Sequence, residues 1–341
     1  MIVLVSTLGL LYAFNDPLSK NHIYDLFAWV DTSLMRGQNL VALIALLLFV
    51  YLLVSRILRY DRIVRNRMFA VMSLAFFIIF FFITFEQAPS SLIIVARDYV
   101  DRSLSGEGLL VFNIINALLM LIPLLIISFV LIRLAMVTWK LIPLTNIVLF
   151  VCFLLIWGVA IYAIRSEFLK NTSEIAVSWF SVLNAFFVIT LASSVSKIWS
   201  SKYNPSVAFK YGFGLFFVAL GYLVVWFGAK GLSEDMKISM AYIILIYFFH
   251  TIGELFISPV GLSYVSKLVP HRMLAFMFGT WYLGIAIAQK VAATLGGQVV
   301  SITKEYGLST FFLIFASIAT GAGILVMLYN PVLKKLMHEV K

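Results

Sequence analysis

Charge is what this sequence has least of. Asp, Glu, Lys and Arg together make up 12% of its 341 residues, where an average soluble domain carries about 25%. Hydrophobic residues reach 63%, and the mean hydropathy is +1.05, values that belong to a chain living in a bilayer. Cysteine is nearly absent. The single Cys152 excludes a disulfide framework or a cysteine metal site within one chain. The four histidines, His22, His250, His271 and His338, show no metal-ligand spacing such as HExxH. No Walker A pattern, GxSxG elbow or Rossmann fingerprint occurs, and no nucleophile and base are paired. The sequence therefore reads as a non-enzyme that needs no metal or cofactor.

What is present instead is a recurrence of apolar runs of helical length, each close to the roughly 20 residues that cross a bilayer. Nine complete spans are read near 37–58, 68–95, 109–132, 142–164, 177–197, 211–229, 238–258, 273–295 and 309–329. The fold class is all-α, a polytopic transmembrane helical bundle. A tenth run, MIVLVSTLGLLYAF, stops before Asn15 and Asp16 and has no positively charged leader. It is read as the outer part of a helix whose start is missing, which hints that the chain is part of something longer.

The net charge of +10 is a topology signal. If RILRYDRIVRNR before the second span is cytoplasmic, alternation of the spans assigns every other loop. The inner loops then hold 15 of the 25 basic residues, against two acids, Asp61 and Glu339. This is the positive-inside pattern, with the C-terminus cytoplasmic and the chain in the cell (inner) membrane. The inner loops carry no interleaved aromatic platform for single-stranded nucleic acid.

Three charges remain inside spans: Glu86, Glu254 and Lys290. Each costs about 2.5–3.5 kcal/mol at mid-bilayer on insertion scales, so each faces protein, water or an interface and is a functional candidate. The plain alternative for each is a structural ion pair or an interfacial position. Glu254 has the richest context. His250, Glu254 and Ser258 recur every four residues, on one face of a helix, and Pro259 follows, removing a backbone donor. His250 by itself is read as a packing or interfacial histidine. Glu86 lies in FFITFEQAPSSLIIVA, where the apolar run halts beside Pro89, a break tolerated only where protein or a cavity surrounds it. Lys290 shares its helix with a stripe of small residues, Gly284, Ala288, Ala292 and Gly296, suited to close helix packing. It lies off that stripe, and snorkelling to an interface is its simplest reading.

The segments GELFISPVGLSYVSKLVP and FMFGTWYLGIAIAQKVAATLGG together resemble the signature of the proton-dependent oligopeptide transporter (POT) family of the major facilitator superfamily. FFITFEQAPSSL is similar to the seventh family helix, WFSVLNAFFVI to the eighth, and NPSVAFKYGFGLFFVALGYL to the ninth. The resemblance covers 68–100 and 175–330, the C-terminal half of the fold. It implies an organisation with 1–66 as a truncated linker helix plus one span of the bacterial extra hairpin. Residues 67–105 and 173–332 form the six-helix half, 106–172 an inserted two-helix hairpin, and 333–341 a cytoplasmic tail. Two features depart from the family pattern: the inserted hairpin, and Ala185 in place of the proline usual after the asparagine of the eighth helix.

The resemblance further implies proton-coupled symport of di- and tripeptides by alternating access. Glu254 and Asn184 would receive the peptide amino end, and Ser258 and Trp281 would line the pocket. Glu86 and Glu254 would carry proton coupling and gating, and Pro89 and Pro259 would shape the helices. The implied partners are peptides, protons, the lipid bilayer and an N-terminal transporter half that this sequence lacks, and the proton gradient replaces any cofactor. A non-transporting peptide-sensing or assembly subunit on the same membrane fold is the alternative.

Overall fold

The computed structural model describes residues 37–202, 204–231 and 236–338. The run at residues 1–14 lies outside the described residues. Twelve helices are described: α1 (Gly37–Ile57), α2 (Arg62–Phe85), α3 (Ser91–Asp98), α4 (Gly106–Thr138), α5 (Pro143–Phe168), α6 (Ser178–Ser200), α7 (Val207–Ala229), α8 (Met240–Leu268), α9 (His271–Gly296), α10 (Val299–Tyr306), α11 (Leu308–Leu328) and α12 (Asn330–Met337). Among the described residues, eight helices are long and apolar enough to cross a membrane: α2, α4 to α9 and α11. The apolar stretch recorded for α1, Leu43–Ile57, is shorter.

Two spans differ from the sequence reading. The span expected over 68–95 is two helices: α2 ends at Phe85, residues 86–90 turn, and α3 resumes at Ser91. The reason is local, because Pro89 cannot donate a backbone bond and disfavours helical geometry in the residue before it. The span expected to end at 258 instead runs through Pro259 to Leu268. One missing N–H is tolerated inside a well-packed membrane helix.

The chain divides into two compact units, Val100–Trp179 and the remainder. In the larger unit, α7 lies against both α8 and α11, and α2 runs along α9 and also meets α8 and α11. Aromatic rings fill the centre: Tyr222 stacks on Phe315 at 5.4 Å, and Phe311 meets Phe315 at 5.0 Å. The small-residue stripe of α9 is buried at Gly284, Ala288, Ala292 and Gly296. A Cβ on Gly284 would lie 3.4 Å from the Ala75 carbonyl of α2, so the stripe is the face that lets these two helices approach.

The smaller unit is the hairpin of α4 and α5. Its base is an antiparallel pairing of Ser103–Ser105 with Thr172–Glu174, in register Ser103 to Glu174 and Ser105 to Thr172. Asn113 Nδ2 donates to the Glu167 carbonyl at 3.2 Å, and Trp157 Nε1 donates to Ser128 Oγ at 2.9 Å. Only Leu109, Asn113, Asn146 and Ala160 are buried along these two helices. A helix apolar on all sides is either a core helix or a membrane span, and this exposure selects the second.

Candidate functional site

The site is built where α6, α7 and α8 meet. The backbones of α7 and α8 touch at Gly214 and Gly253. A Cβ on Gly253 would sit 2.6 Å from the Gly214 carbonyl oxygen, and one on Gly214 would sit 2.9 Å from that of Gly253. Neither position accepts a side chain, so the two glycines hold α8 against its neighbour one residue before Glu254. On the other side α6 is held to α8 by rings, with Phe187 edge-on to Phe248 at 5.3 Å and Trp199 edge-on to Phe256 at 4.6 Å.

Between these contacts Asn184 reaches Glu254. Its Nδ2 donates to Glu254 Oε2 at 3.0 Å and to Thr251 Oγ1 at 3.3 Å. Thr251 in turn donates to the Tyr247 carbonyl at 2.8 Å, which locks its rotamer within α8. Asn184 and Glu254 are both half-buried. Among the described residues no lysine, arginine or histidine pairs with Glu254 or with Glu86. A carboxylate oriented by an amide, with no cation partner among the described residues, is suited to meet a cationic group of a ligand, or a proton.

The polar line read along α8 divides in space. Glu254 turns to α6, and Ser258 is half-buried one turn further on. His250 is 1% exposed. Its ring lies 4.8 Å from Tyr222 and 6.2 Å from Phe85, and neither ring nitrogen has a hydrogen-bond partner among the described residues. Its surroundings are those of a packing group. Trp281 is also 1% exposed, and a Cβ on Gly261 would collide with its ring and with the Tyr211 hydroxyl. It therefore sits in the packing of α9 on α8.

Glu86 lies at the break after α2, and its Oε1 accepts from Gln289 Nε2 of α9 at 3.1 Å. Around it the backbone groups freed by the break are taken up by protein. The Thr84 carbonyl accepts the Tyr222 hydroxyl at 2.5 Å, and the Ala88 carbonyl accepts that of Tyr247 at 3.3 Å. Gln87, 0% exposed, ties the break to α9. Its Nε2 donates to the carbonyls of Ile83 and Ala292 at 3.1 and 3.0 Å, while its Oε1 accepts from Ser91 at 2.6 Å. Pro89 itself is exposed in the turn. Thr251, Gln87 and Gln289 were not singled out from the sequence. For Thr251 a signal existed in its spacing, three residues before Glu254 on the same helical face.

Residues 160–314 match the sequence profile of the POT family. That stretch is similar to the POT family. Asn184, Glu254, Ser258 and Trp281 lie within that matched region, and Glu86 lies before it. Among curated proteins, the chain is 28% identical over 188 residues to a di-/tripeptide transporter of Lactococcus lactis subsp. cremoris, covering 54% of this chain and 37% of the relative. It is 35% identical over 133 residues to dipeptide and tripeptide permease B of Salmonella typhimurium, covering 36% of this chain and 25% of the relative. A crystal structure of a POT family transporter in complex with 5-aminolevulinic acid aligns at TM-score 0.60 and 20% identity, covering 93% of this chain and 50% of that one. A peptide transporter POT in complex with sulfate aligns at TM-score 0.61 and 18% identity, covering 98% and 53%. At these identities the solved structures establish the fold alone, a multi-pass helical membrane bundle. The chain spans about half the length of the solved chains it matches.

Proposed function

We propose that the chain supplies the C-terminal half of a proton-coupled di- and tripeptide symporter in the cell (inner) membrane, working by alternating access. The observation that carries the reading is the Asn184 to Glu254 bond at 3.0 Å, which joins two helices around a carboxylate that has no cation partner among the described residues. The peptide's ammonium group takes the place of that cation, with Asn184 setting the carboxylate's direction. The match to the POT family and the peptide transporters among its relatives support peptides as the substrate class. The role is transport rather than catalysis, and its drive is the proton gradient, with Glu254 and Glu86 as the proton-bearing groups.

Facilitator halves enclose substrate between them near the bilayer midplane. A partner half therefore supplies the second wall, the basic groups for the peptide carboxylate, and a cation for Glu86 at the outer gate. The orientation with a cytoplasmic C-terminus rests on the distribution of lysine and arginine. The test is Glu254→Gln in the complete transporter, assayed by dipeptide uptake into proteoliposomes with and without an inward proton gradient. The expected result is normal membrane insertion with loss of gradient-driven uptake. Unchanged driven uptake would remove Glu254 from the mechanism.

A further inference from the structure

The hairpin of α4 and α5 holds a feature that peptide transport does not use. Between its two helices lies a half-open cleft of about 830 Å³, lined by residues from Ser128 to Lys140 on one side and from Asn146 to Trp157 on the other. Its volume is within the range of about 300–1,000 Å³ typical of sites for small organic ligands. Two polar tethers bracket it. Trp157 Nε1 donates to Ser128 Oγ at one end, and at the other Asn146 and Thr138 exchange hydrogen bonds at 3.2 Å. Between the tethers the walls are aliphatic and aromatic, including Leu131, Ala135, Phe150 and Leu154.

The charge on this hairpin is one-sided. No acidic residue occurs between Gly108 and Ser166. At the turn end, Lys140 and Trp139 line the cleft. Lys140 is in no ion pair among the described residues. The opposite end is different, because there Lys170 pairs with Glu167 at 2.6 Å and Arg102 with Glu174 at 3.2 Å. An apolar slot that opens on a lysine with no ion pair among the described residues, beside a tryptophan, has the chemistry of an anionic phospholipid site, with acyl chain in the slot and phosphate at the basic end.

We propose that this cleft binds one anionic phospholipid, its tail between α4 and α5 and its headgroup against Lys140. A second copy of the chain is the poorer occupant. A symmetric contact would bring Lys140 toward its own copy, and this stretch of the hairpin offers no carboxylate to meet it. Ordinary annular lipid would occupy the same apolar walls without regard to headgroup charge, and that difference is measurable.

The full chain in detergent is titrated with phosphatidylglycerol and, separately, with phosphatidylcholine, and bound lipid is counted by native mass spectrometry. One phosphatidylglycerol per chain is expected, held about fivefold more tightly than phosphatidylcholine, as one cation near a phosphate implies. Lys140→Gln removes charge without filling the slot, and Ala135→Trp fills the slot without removing charge. Each should weaken that single adduct about fivefold, whereas Lys335→Gln on α12 should leave it unchanged. Gel filtration reports whether each variant keeps its fold, and the two variants are independent of each other. Equal retention of both lipids, or a phosphatidylglycerol adduct indifferent to both substitutions, would overturn the proposal. So would a dimer of the unaltered chain that Ala135→Trp dissociates, since the cleft would then be an interface between copies.

Discussion

Asn184 and Glu254 stand 70 positions apart in sequence and 3.0 Å apart in space, amide donating to carboxylate across the contact of α6 with α8. The amide fixes which way the carboxylate faces. Everything proposed for substrate binding runs through that orientation.

Asn184→Ala removes a hydrogen bond to a charged acceptor, an interaction of about 1.5–3 kcal/mol. Peptide affinity in the complete transporter should fall by about one to two orders of magnitude, with expression and insertion retained. Equilibrium binding of a labelled dipeptide measures this. An unaltered affinity would mean that Glu254 is positioned by something other than Asn184.

Gly253→Val places a side chain where the Gly214 carbonyl oxygen lies 2.6 Å from the Cβ position. Forced overpacking costs about 1–3 kcal/mol, and here it also pushes α8 away from α7 next to Glu254. The expected result is a lower thermal unfolding midpoint in detergent together with weakened peptide binding. Gly279→Ala is the control, since its Cβ would meet nothing within 4 Å. Equal midpoints for the two variants would show that the α7 to α8 contact yields readily.

Deleting residues 106–172 with a short linker should leave substantial peptide uptake in the complete transporter. The hairpin makes its own hydrogen bonds at Asn113 and Trp157, and it has no acidic residue between Gly108 and Ser166. A well-inserted deletion variant that lost peptide binding altogether would make the hairpin part of the transport path.

The membrane-spanning character was legible because it depends on composition over about 20 residues, which local sequence displays directly. Glu254 and Glu86 stand out in the sequence as carboxylates in apolar runs, and Asn184 through its place in a family-like motif. The bond between Asn184 and Glu254 does not, since periodicity along one helix carries no information about which face of another helix it meets. The same limit separates His250 from Glu254. Four-residue spacing puts them on one face, but α8 has neighbours on several sides, and His250 falls among Tyr222 and Phe85. Gln87 was hidden for a different reason. A glutamine beside Glu86 reads as part of a polar break, and only the packed structure reveals that it closes that break onto the Ala292 carbonyl.

The central claim is that this chain forms one wall of a two-walled peptide cavity. Its most direct test is dipeptide uptake into proteoliposomes under an inward proton gradient, comparing this chain alone with the chain co-reconstituted with a complementary N-terminal POT half. Each half satisfies its own backbone within its helices, so the two can insert separately and dock afterwards. No gradient-driven uptake is expected from the chain alone, and measurable uptake when both halves are present. Robust uptake by the chain alone would contradict the central claim.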